Sequence, residues 1–135
     1  MENTNQETRF ILCLSRQDID KLVKDLTPKD RVYRLASLLR HAAETDITLS
    51  KRNISYSVKA GQVGTSHADL GQEWHCDRST ATRFLKELEA DGLVHVQTGN
   101  VSSVTDLNFL LGWQRDGKPL PNLSSNNELV CNLIV

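Results

Sequence analysis

The sequence predicts an α+β fold that is mainly helical, with a small sheet of two to three strands and short strand-like extensions at its ends. Two observations carry this prediction. Residues 66–92 contain two segments in which apolar residues recur at helical spacing, and a short break separates the segments. Residues 93–110 contain two runs of β-favouring residues around a break of glycine, asparagine and serine, which is typical of a hairpin.

The chain divides into three parts. Residues 1–26 are predicted to form an N-terminal extension, residues 27–112 the main domain, and residues 113–135 a C-terminal loop with an apolar tail. A chain of 135 residues is long enough for one stable core. Its apolar runs are far shorter than a membrane span and its N-terminus is polar, so we expect neither a membrane span nor a signal peptide.

The N-terminal extension is predicted to contain a strand and a short helix. Residues 8–14 (TRFILCL) are apolar and rich in β-favouring residues, which indicates a strand. Ser15 and Asp18 have the spacing of a capping box, in which each residue bonds the backbone of the other. Apolar residues at helical spacing then continue to about Asp25.

A longer helix is predicted over residues 28–44. Thr27 is a suitable N-cap and Pro28 suits the first helical position, and apolar residues then recur every 3.6 positions. Residues 46–56 are polar without a clear period, so we expect a loop or irregular segment there. Residues 60–65 contain two glycines and are expected to form a short strand or turn.

The two helices within residues 66–92 have clear start and stop signals. Ser66 with Asp69 predicts the start of the first helix, and Asp77 predicts the start of the second. Gly92 predicts the end of the second helix, because glycine readily adopts the left-handed conformation found there. The residues expected in the core are Ala68, Leu70 and Trp74 from the first helix and Ala81, Phe84, Leu85 and Leu88 from the second.

The hairpin strands are predicted at residues 93–97 and 104–110. Residues 113–127 contain two prolines and a serine–asparagine cluster, which indicates a loop. Residues 129–135 (LVCNLIV) form a second apolar, β-favouring tail. This tail and residues 8–14 would be aggregation-prone edges if exposed, so we expect them to pair. The pairing could join them within one chain or across a dimer interface, and the sequence leaves both arrangements open.

The net charge of −1 is distributed unevenly. Between residues 51 and 86, six basic and three acidic residues give a local charge of +3. Glu87, Glu89 and Asp91 follow directly and oppose this charge. Because neutralisation of phosphates supplies most non-specific affinity for DNA, the sequence predicts a local basic surface and not a strong non-specific DNA binder.

Several functional classes find no support in the sequence. Cys13, Cys76 and Cys131 are odd in number and lack metal-ligand spacing, which predicts a reducing, cytoplasmic location. His67, His75 and Cys76 lack the paired spacing of a zinc site. The chain also lacks a nucleophile motif and a dinucleotide-binding fingerprint, so we expect no enzyme activity, no cofactor and no metal.

Three stretches of the sequence carry a resemblance to a known family: GQVGTSHADL, DRSTATRFLKELEADGLV and VTDLNFL. Together with the order helix, short strand, helix, turn, helix and hairpin, they resemble the winged helix-turn-helix DNA-binding domain of bacterial regulators. They are equally similar to the winged-helix modules of phage and plasmid replication proteins. The resemblance covers residues 28–112, about two thirds of the chain.

The resemblance implies a role for each element. Residues 66–75 would be the positioning helix, residues 78–90 the recognition helix in the major groove, and residues 98–103 the wing. Arginine, lysine and hydroxyl groups suit this groove because they bind base edges and phosphates. The wing of such domains usually carries basic residues, and this wing has none. The residues expected to contact DNA are Arg78, Ser79, Thr80, Thr82, Arg83 and Lys86.

The sequence therefore predicts sequence-specific binding of double-stranded DNA, in transcriptional regulation or as an accessory factor for replication or for a mobile element. Such proteins commonly bind as dimers, and the terminal apolar segments could hold a homodimer. The alternative is a winged helix that binds another protein, through its apolar tails or through Glu87, Glu89 and Asp91. A further alternative for the basic residues is a solvated helix face with i,i+4 ion pairs, such as Arg83 with Glu87.

Overall fold

The computed structural model describes residues 7–24, 28–99 and 102–133. Within these ranges the helices are α1 (Arg16–Lys24), α2 (Pro28–His41), α3 (His67–Glu73) and α4 (Arg78–Ala90), with a C-terminal 3-10 helix at Glu128–Leu133. The strands are β1 (Thr8–Leu12), β2 (Ile47–Lys51), β3 (Ile54–Val58), β4 (Gln62–Val63), β5 (Val94–Thr98), β6 (Ser103–Leu107), β7 (Leu110–Arg115) and β8 (Lys118–Pro121). The predicted cap Thr27 and wing residues 100 and 101 lie outside the described ranges.

The prediction of a mainly helical fold with one small sheet is wrong. The predicted sheet is present, with the strand order β4-β6-β5. Two more sheets accompany it, a hairpin of β2 and β3 and a three-stranded sheet with the order β1-β7-β8. The fold remains α+β, but it contains far more sheet than a mainly helical winged helix-turn-helix domain.

The β2–β3 hairpin replaces the loop predicted at residues 46–56. Its strands pair antiparallel, with Leu49 opposite Tyr56, and most of their side chains are exposed. Because these short strands bury at most one face, their sequence shows only a weak alternation of apolar and polar residues, and a strand is hard to predict from it. Arg52 and Asn53 form the turn, and both have positive φ angles, of 54° and 64°.

The β7–β8 hairpin replaces the first part of the loop predicted at residues 113–127, and residues 122–127 form a loop as predicted. β7 crosses the predicted domain boundary after residue 112. Pro119 and Pro121 lie in β8, which is an edge strand. An edge strand tolerates proline because one side of its backbone needs no hydrogen-bond partner. Asp116 and Gly117 form the turn with positive φ angles.

The described parts of the terminal segments, residues 8–14 and 129–133, do not pair with each other. β1 pairs antiparallel with β7, with Thr8 opposite Arg115 and Phe10 opposite Trp113. Residues 129–133 lie in the 3-10 helix instead of a strand, and this helix packs against β7 and β8. Both described terminal segments therefore contact the same sheet of their own chain.

The helix pair follows the predicted caps. Ser66 Oγ accepts a hydrogen bond from the backbone N–H of Asp69 at 3.1 Å, and Asp77 Oδ1 accepts one from Thr80 at 2.7 Å. Gly92 has a φ of +80°, as the predicted helix end requires. Ala68 is exposed, against prediction, and the other expected core residues are buried: Leu70, Trp74, Ala81, Phe84, Leu85 and Leu88.

Candidate nucleic-acid interface

The solvent side of α4 is a shallow groove. Five of the six residues predicted to contact DNA line it: Arg78, Ser79, Thr82, Arg83 and Lys86. They fall one to four positions apart, so the 3.6-residue period of the helix places them on one face. The opposite face of α4 is the buried stripe of Ala81, Phe84, Leu85 and Leu88.

The sixth predicted residue, Thr80, does not line this groove. It is half-buried, and its backbone N–H is the donor to Asp77 at the helix start. Thr82 is also half-buried, and its Oγ1 lies 2.9 Å from Nδ1 of His67 in α3. The hydroxyl of Thr82 therefore links the two helices. The structure leaves Arg78, Ser79, Arg83 and Lys86 as the exposed members of the predicted set.

His67 lies at the junction of α3 and α4. Burial and, secondarily, the nearby charge of Arg78 lower the pKa of its imidazole below the ordinary 6.5. The shift favours the neutral ring, whose Nδ1 can either donate to Thr82 Oγ1 or accept the hydroxyl proton. This bond helps to fix the angle at which α4 faces solvent.

A cluster of polar side chains joins α2 to α3. Glu73 accepts a hydrogen bond from the Ser37 hydroxyl and lies 2.7 Å from His41 Nε2. Trp74 Nε1 donates to Ser37 Oγ at 2.9 Å. The bonds from Ser37 and His41 hold the pKa of Glu73 below its usual value. The network keeps α3 in a fixed position against α2.

Two of the three arginines of α2, Arg31 and Arg34, contact the helix pair. The Arg34 guanidinium lies 5.0 Å from the ring centre of Phe84 and 5.6 Å from that of Trp74, which is cation–π distance. Arg31 Nη2 lies 3.1 Å from Asp91 at the end of α4. These cations stabilise the packing of α4 and do not line its outer groove.

The acidic residues that follow the groove are largely engaged by the protein itself. Lys21 Nζ lies 2.6 Å from Asp91, and the bonds from Lys21 and Arg31 lower the pKa of this carboxyl group. Glu89 accepts the backbone N–H of Val96 at 2.8 Å. Two of the three acids therefore oppose the basic face less than their sequence positions suggest.

The predicted ion pair between Arg83 and Glu87 does not form. Both residues are exposed and described, and their side chains are not within salt-bridge distance. The pKa of Asp77, the helix cap, is lowered chiefly by its hydrogen bonds with Thr80 and to a smaller extent by the charge of Arg83. Arg83 thus presents its guanidinium to solvent, as a nucleic-acid contact requires.

A second groove lies between the N-terminus of α3, the wing and the tip of the β2–β3 hairpin. Its lining includes Arg78 and the wing residues Thr98, Gly99, Ser102 and Ser103. Lys51 and Arg52 also line it. Sequence reasoning missed these two cations because it assigned their segment to a loop. The hairpin could have been predicted from the pair Arg52-Asn53, which forms the turn between two segments of β-favouring residues.

No family model matches this chain, and neither the curated proteins nor the solved structures include one with significant similarity. We therefore infer function from the geometry of the two grooves.

The structure also places the residues that were considered as metal ligands. His67 is bonded to Thr82, and the part of the chain that the structure describes contains no group of three or more metal-ligating side chains. Cys13, Cys76 and Cys131 are free thiols. Each helix in the described ranges is too short or too polar to cross a bilayer.

Proposed function

We propose that this protein binds double-stranded DNA in a sequence-specific manner, with α4 in the major groove. The observation that carries the proposal is the outer face of α4. It presents three cations and two hydroxyl groups, no carboxylate is among its lining residues, and its reverse side is core. A major groove about 12 Å wide admits such a helix, and these side chains can hydrogen-bond to base edges and phosphates.

The arrangement around α4 supports a winged helix-turn-helix unit within a larger, sheet-rich domain. α2, β4, α3, α4, β5 and β6 follow one another in the order of such a unit. β6 lies between β4 and β5 in one sheet, and in this proposal the β5–β6 hairpin is the wing. In this assignment α3 crosses the DNA backbone and α4 contacts the bases.

The proposal includes a biological role, either in transcriptional regulation or as an accessory factor in bacterial, phage or plasmid replication. Both roles need only site-specific binding to duplex DNA. Three free thiols support a reducing, cytoplasmic location. A homodimer on two half-sites would use β1, since it is an edge strand of its sheet among the described residues and exposes Phe10 and Leu12.

The alternative is a module that binds another protein through its apolar tails or through its acidic residues, and the acidic surface has less support. That surface combined Glu87, Glu89 and Asp91. Asp91 is held by Lys21 and Arg31, and Glu89 by the backbone of β5. Only Glu87 remains exposed without such a contact.

The test is selection of bound duplexes from a random DNA pool, followed by gel-shift titration of the enriched sequence. Arg83→Ala should weaken binding of that sequence by about 1–3 kcal/mol and flatten its salt dependence if a phosphate contact is lost. Arg16→Ala is a matched control, because Arg16 is an exposed arginine on α1 and lines neither groove.

The proposal fails if the wild-type protein enriches no sequence and retains no duplex at low salt. It also fails if Arg83→Ala and Arg16→Ala weaken binding equally. Recovery of a partner protein that stays bound to this chain at about 0.5 M salt, with no DNA recovered at any salt concentration, would favour the protein-binding alternative. The reason is that counterion release makes DNA binding steeply salt-dependent.

A further inference from the structure

The wing in this protein has no cation of its own, and the β2–β3 hairpin brings two beside it. Lys51 at the end of β2 and Arg52 in the turn line one groove with the wing residues Thr98, Gly99 and Ser102. The hairpin precedes α3 in sequence and is not part of the winged unit α2-β4-α3-α4-β5-β6. Its position next to the wing therefore results from tertiary packing.

The two grooves form one continuous basic surface. Arg78, at the start of α4, lines both of them. Along α4 the surface extends from Arg78 to Lys86, about 12 Å at the helical rise of 1.5 Å per residue. Beyond Arg78 it continues to Lys51 and Arg52. Among the described lining residues of either groove there are five cations of lysine or arginine and no carboxylate.

The hairpin is held firmly in this position. Val58 is 1% exposed, and its side chain packs on Gly64 just before α3. A Cβ atom at Gly64 would lie 2.6 Å from Val58 Cγ2 and 3.1 Å from Leu49 Cδ1, so the hairpin needs glycine there. At its base, the backbone N–H of Ala60 donates to Asp46 Oδ1 at 2.9 Å. The base is anchored, and the tip with its two cations faces the groove.

We propose that the tip of the β2–β3 hairpin is a second DNA-contacting element, in which Lys51 and Arg52 neutralise backbone phosphates that flank the site bound by α4. This inference rests on the proposed function and adds residues to it. The hairpin supplies the positive charge that the wing lacks, while the wing contributes the hydroxyl-bearing residues Thr98, Ser102 and Ser103 to the same groove. Contacts of this kind position a protein on DNA and carry no base information.

The salt dependence of DNA binding should distinguish the contribution of the hairpin tip from that of α4. Each lysine or arginine that neutralises one phosphate contributes about 0.9 to the slope of log affinity against log salt. Loss of both hairpin cations should therefore lower the slope by about two and weaken binding to every duplex by the same factor. The order of preference among DNA sequences should stay unchanged, because α4 still contacts the bases.

The test variant is Lys51→Gln/Arg52→Asn, which removes two charges, and asparagine tolerates the positive φ of position 52. Lys59→Gln/Lys118→Gln is the matched control, since both lysines are exposed, lie outside either groove and carry the same charge. Lys51→Arg/Arg52→Lys keeps both charges and should bind like the wild-type protein. The probe is the duplex selected by the wild-type protein, with long flanks and with flanks trimmed to the α4 site.

On the long duplex, the test variant should lose about two units of salt slope relative to the control. On the trimmed duplex, wild-type protein and test variant should bind alike, because the flanking phosphates are gone. Equal slopes for test variant and control, with the wild-type protein bound to the selected duplex, would overturn the inference and leave the proposed function intact. Failure of the wild-type protein to bind any duplex would instead overturn the proposed function, and the inference with it.

Discussion

His67 shows how one side chain couples ionisation to the placement of a helix. Its Nδ1 atom lies 2.9 Å from Thr82 Oγ1, and burial followed by the charge of Arg78 lowers its pKa. Burial disfavours the imidazolium, so the folded protein takes up this proton less readily than the unfolded chain. The folded protein is therefore favoured most when the ring is neutral.

This shift predicts a pH dependence of stability. The contribution of His67 should be complete above its unfolded pKa, 6.5, and should be lost as the pH falls toward its lower folded pKa. In urea titrations between about pH 8 and pH 5, the wild-type midpoint should fall more than that of His67→Gln, which cannot titrate. Parallel curves for the two proteins would contradict the assignment. Glu73 and Asp91 titrate below this window, because their pKa values are lowered from 4.5 and 3.8.

At the scale of elements, the sequence predicted the starts and ends of helices but not how the strands pack. Ser66 and Asp77 start their helices as expected, since a cap depends on a few neighbouring residues. The core stripe of α4 follows from helical periodicity alone. The β2–β3 hairpin was missed although its cross-strand partners are at most 11 positions apart, because most of its side chains are exposed and its apolar alternation is weak.

The same limit applies to the candidate site. Four of the six predicted residues are exposed on the groove of α4, because a helix face can be deduced from spacing. Thr82 is partly engaged by His67, a contact between helices that spacing cannot reveal. The cations beside the wing were visible as charges in the sequence, but only the fold brings Lys51 and Arg52 to Arg78.

The cap at Ser66 gives a prediction for α3 as an element. Ser66→Ala removes the acceptor for the backbone N–H of Asp69 and should lower the free energy of unfolding by about 1 kcal/mol. Ser66→Asp restores an acceptor and should retain most of the stability. Chemical denaturation of the three proteins under one buffer condition checks this. An alanine variant as stable as the aspartate variant would show that the cap contributes little.

At the scale of the whole molecule, Asn122 joins separate parts of the fold. It is fully buried, and its Nδ2 donates to the carbonyls of Leu107 at 3.2 Å and Leu110 at 2.8 Å, where β6 turns into β7. Its Oδ1 accepts the backbone N–H of Ser124 at 3.0 Å. Gly61 approaches so closely that a Cβ atom there would overlap the Asn122 amide. One side chain thus connects the end of the wing sheet to the sheet of β1, β7 and β8.

Asn122→Leu should consequently destabilise the whole domain. The change keeps a similar volume but removes the side-chain hydrogen bonds to two carbonyls and one N–H, and a buried group left unsatisfied costs about 1–3 kcal/mol. Asn126→Leu is the control, because Asn126 is exposed and only its backbone is bonded. The unfolding midpoint in urea should fall for the first variant and stay near the wild-type value for the second. Equal midpoints would show that the amide bonds are dispensable.

The pairing of β1 with β7 has a consequence for the order in which the protein assembles. Arg115 Nε donates to Thr8 Oγ1 across 107 positions of sequence, and pairings this distant form slowly because a long loop must close. During synthesis β1 emerges before β7 and has no strand to pair with until β7 follows. The helix pair and its three-stranded sheet end at Leu107, before β7 begins. The nascent chain can therefore complete its basic surface while its first strand is still exposed, and in that interval β1 is the segment most open to aggregation.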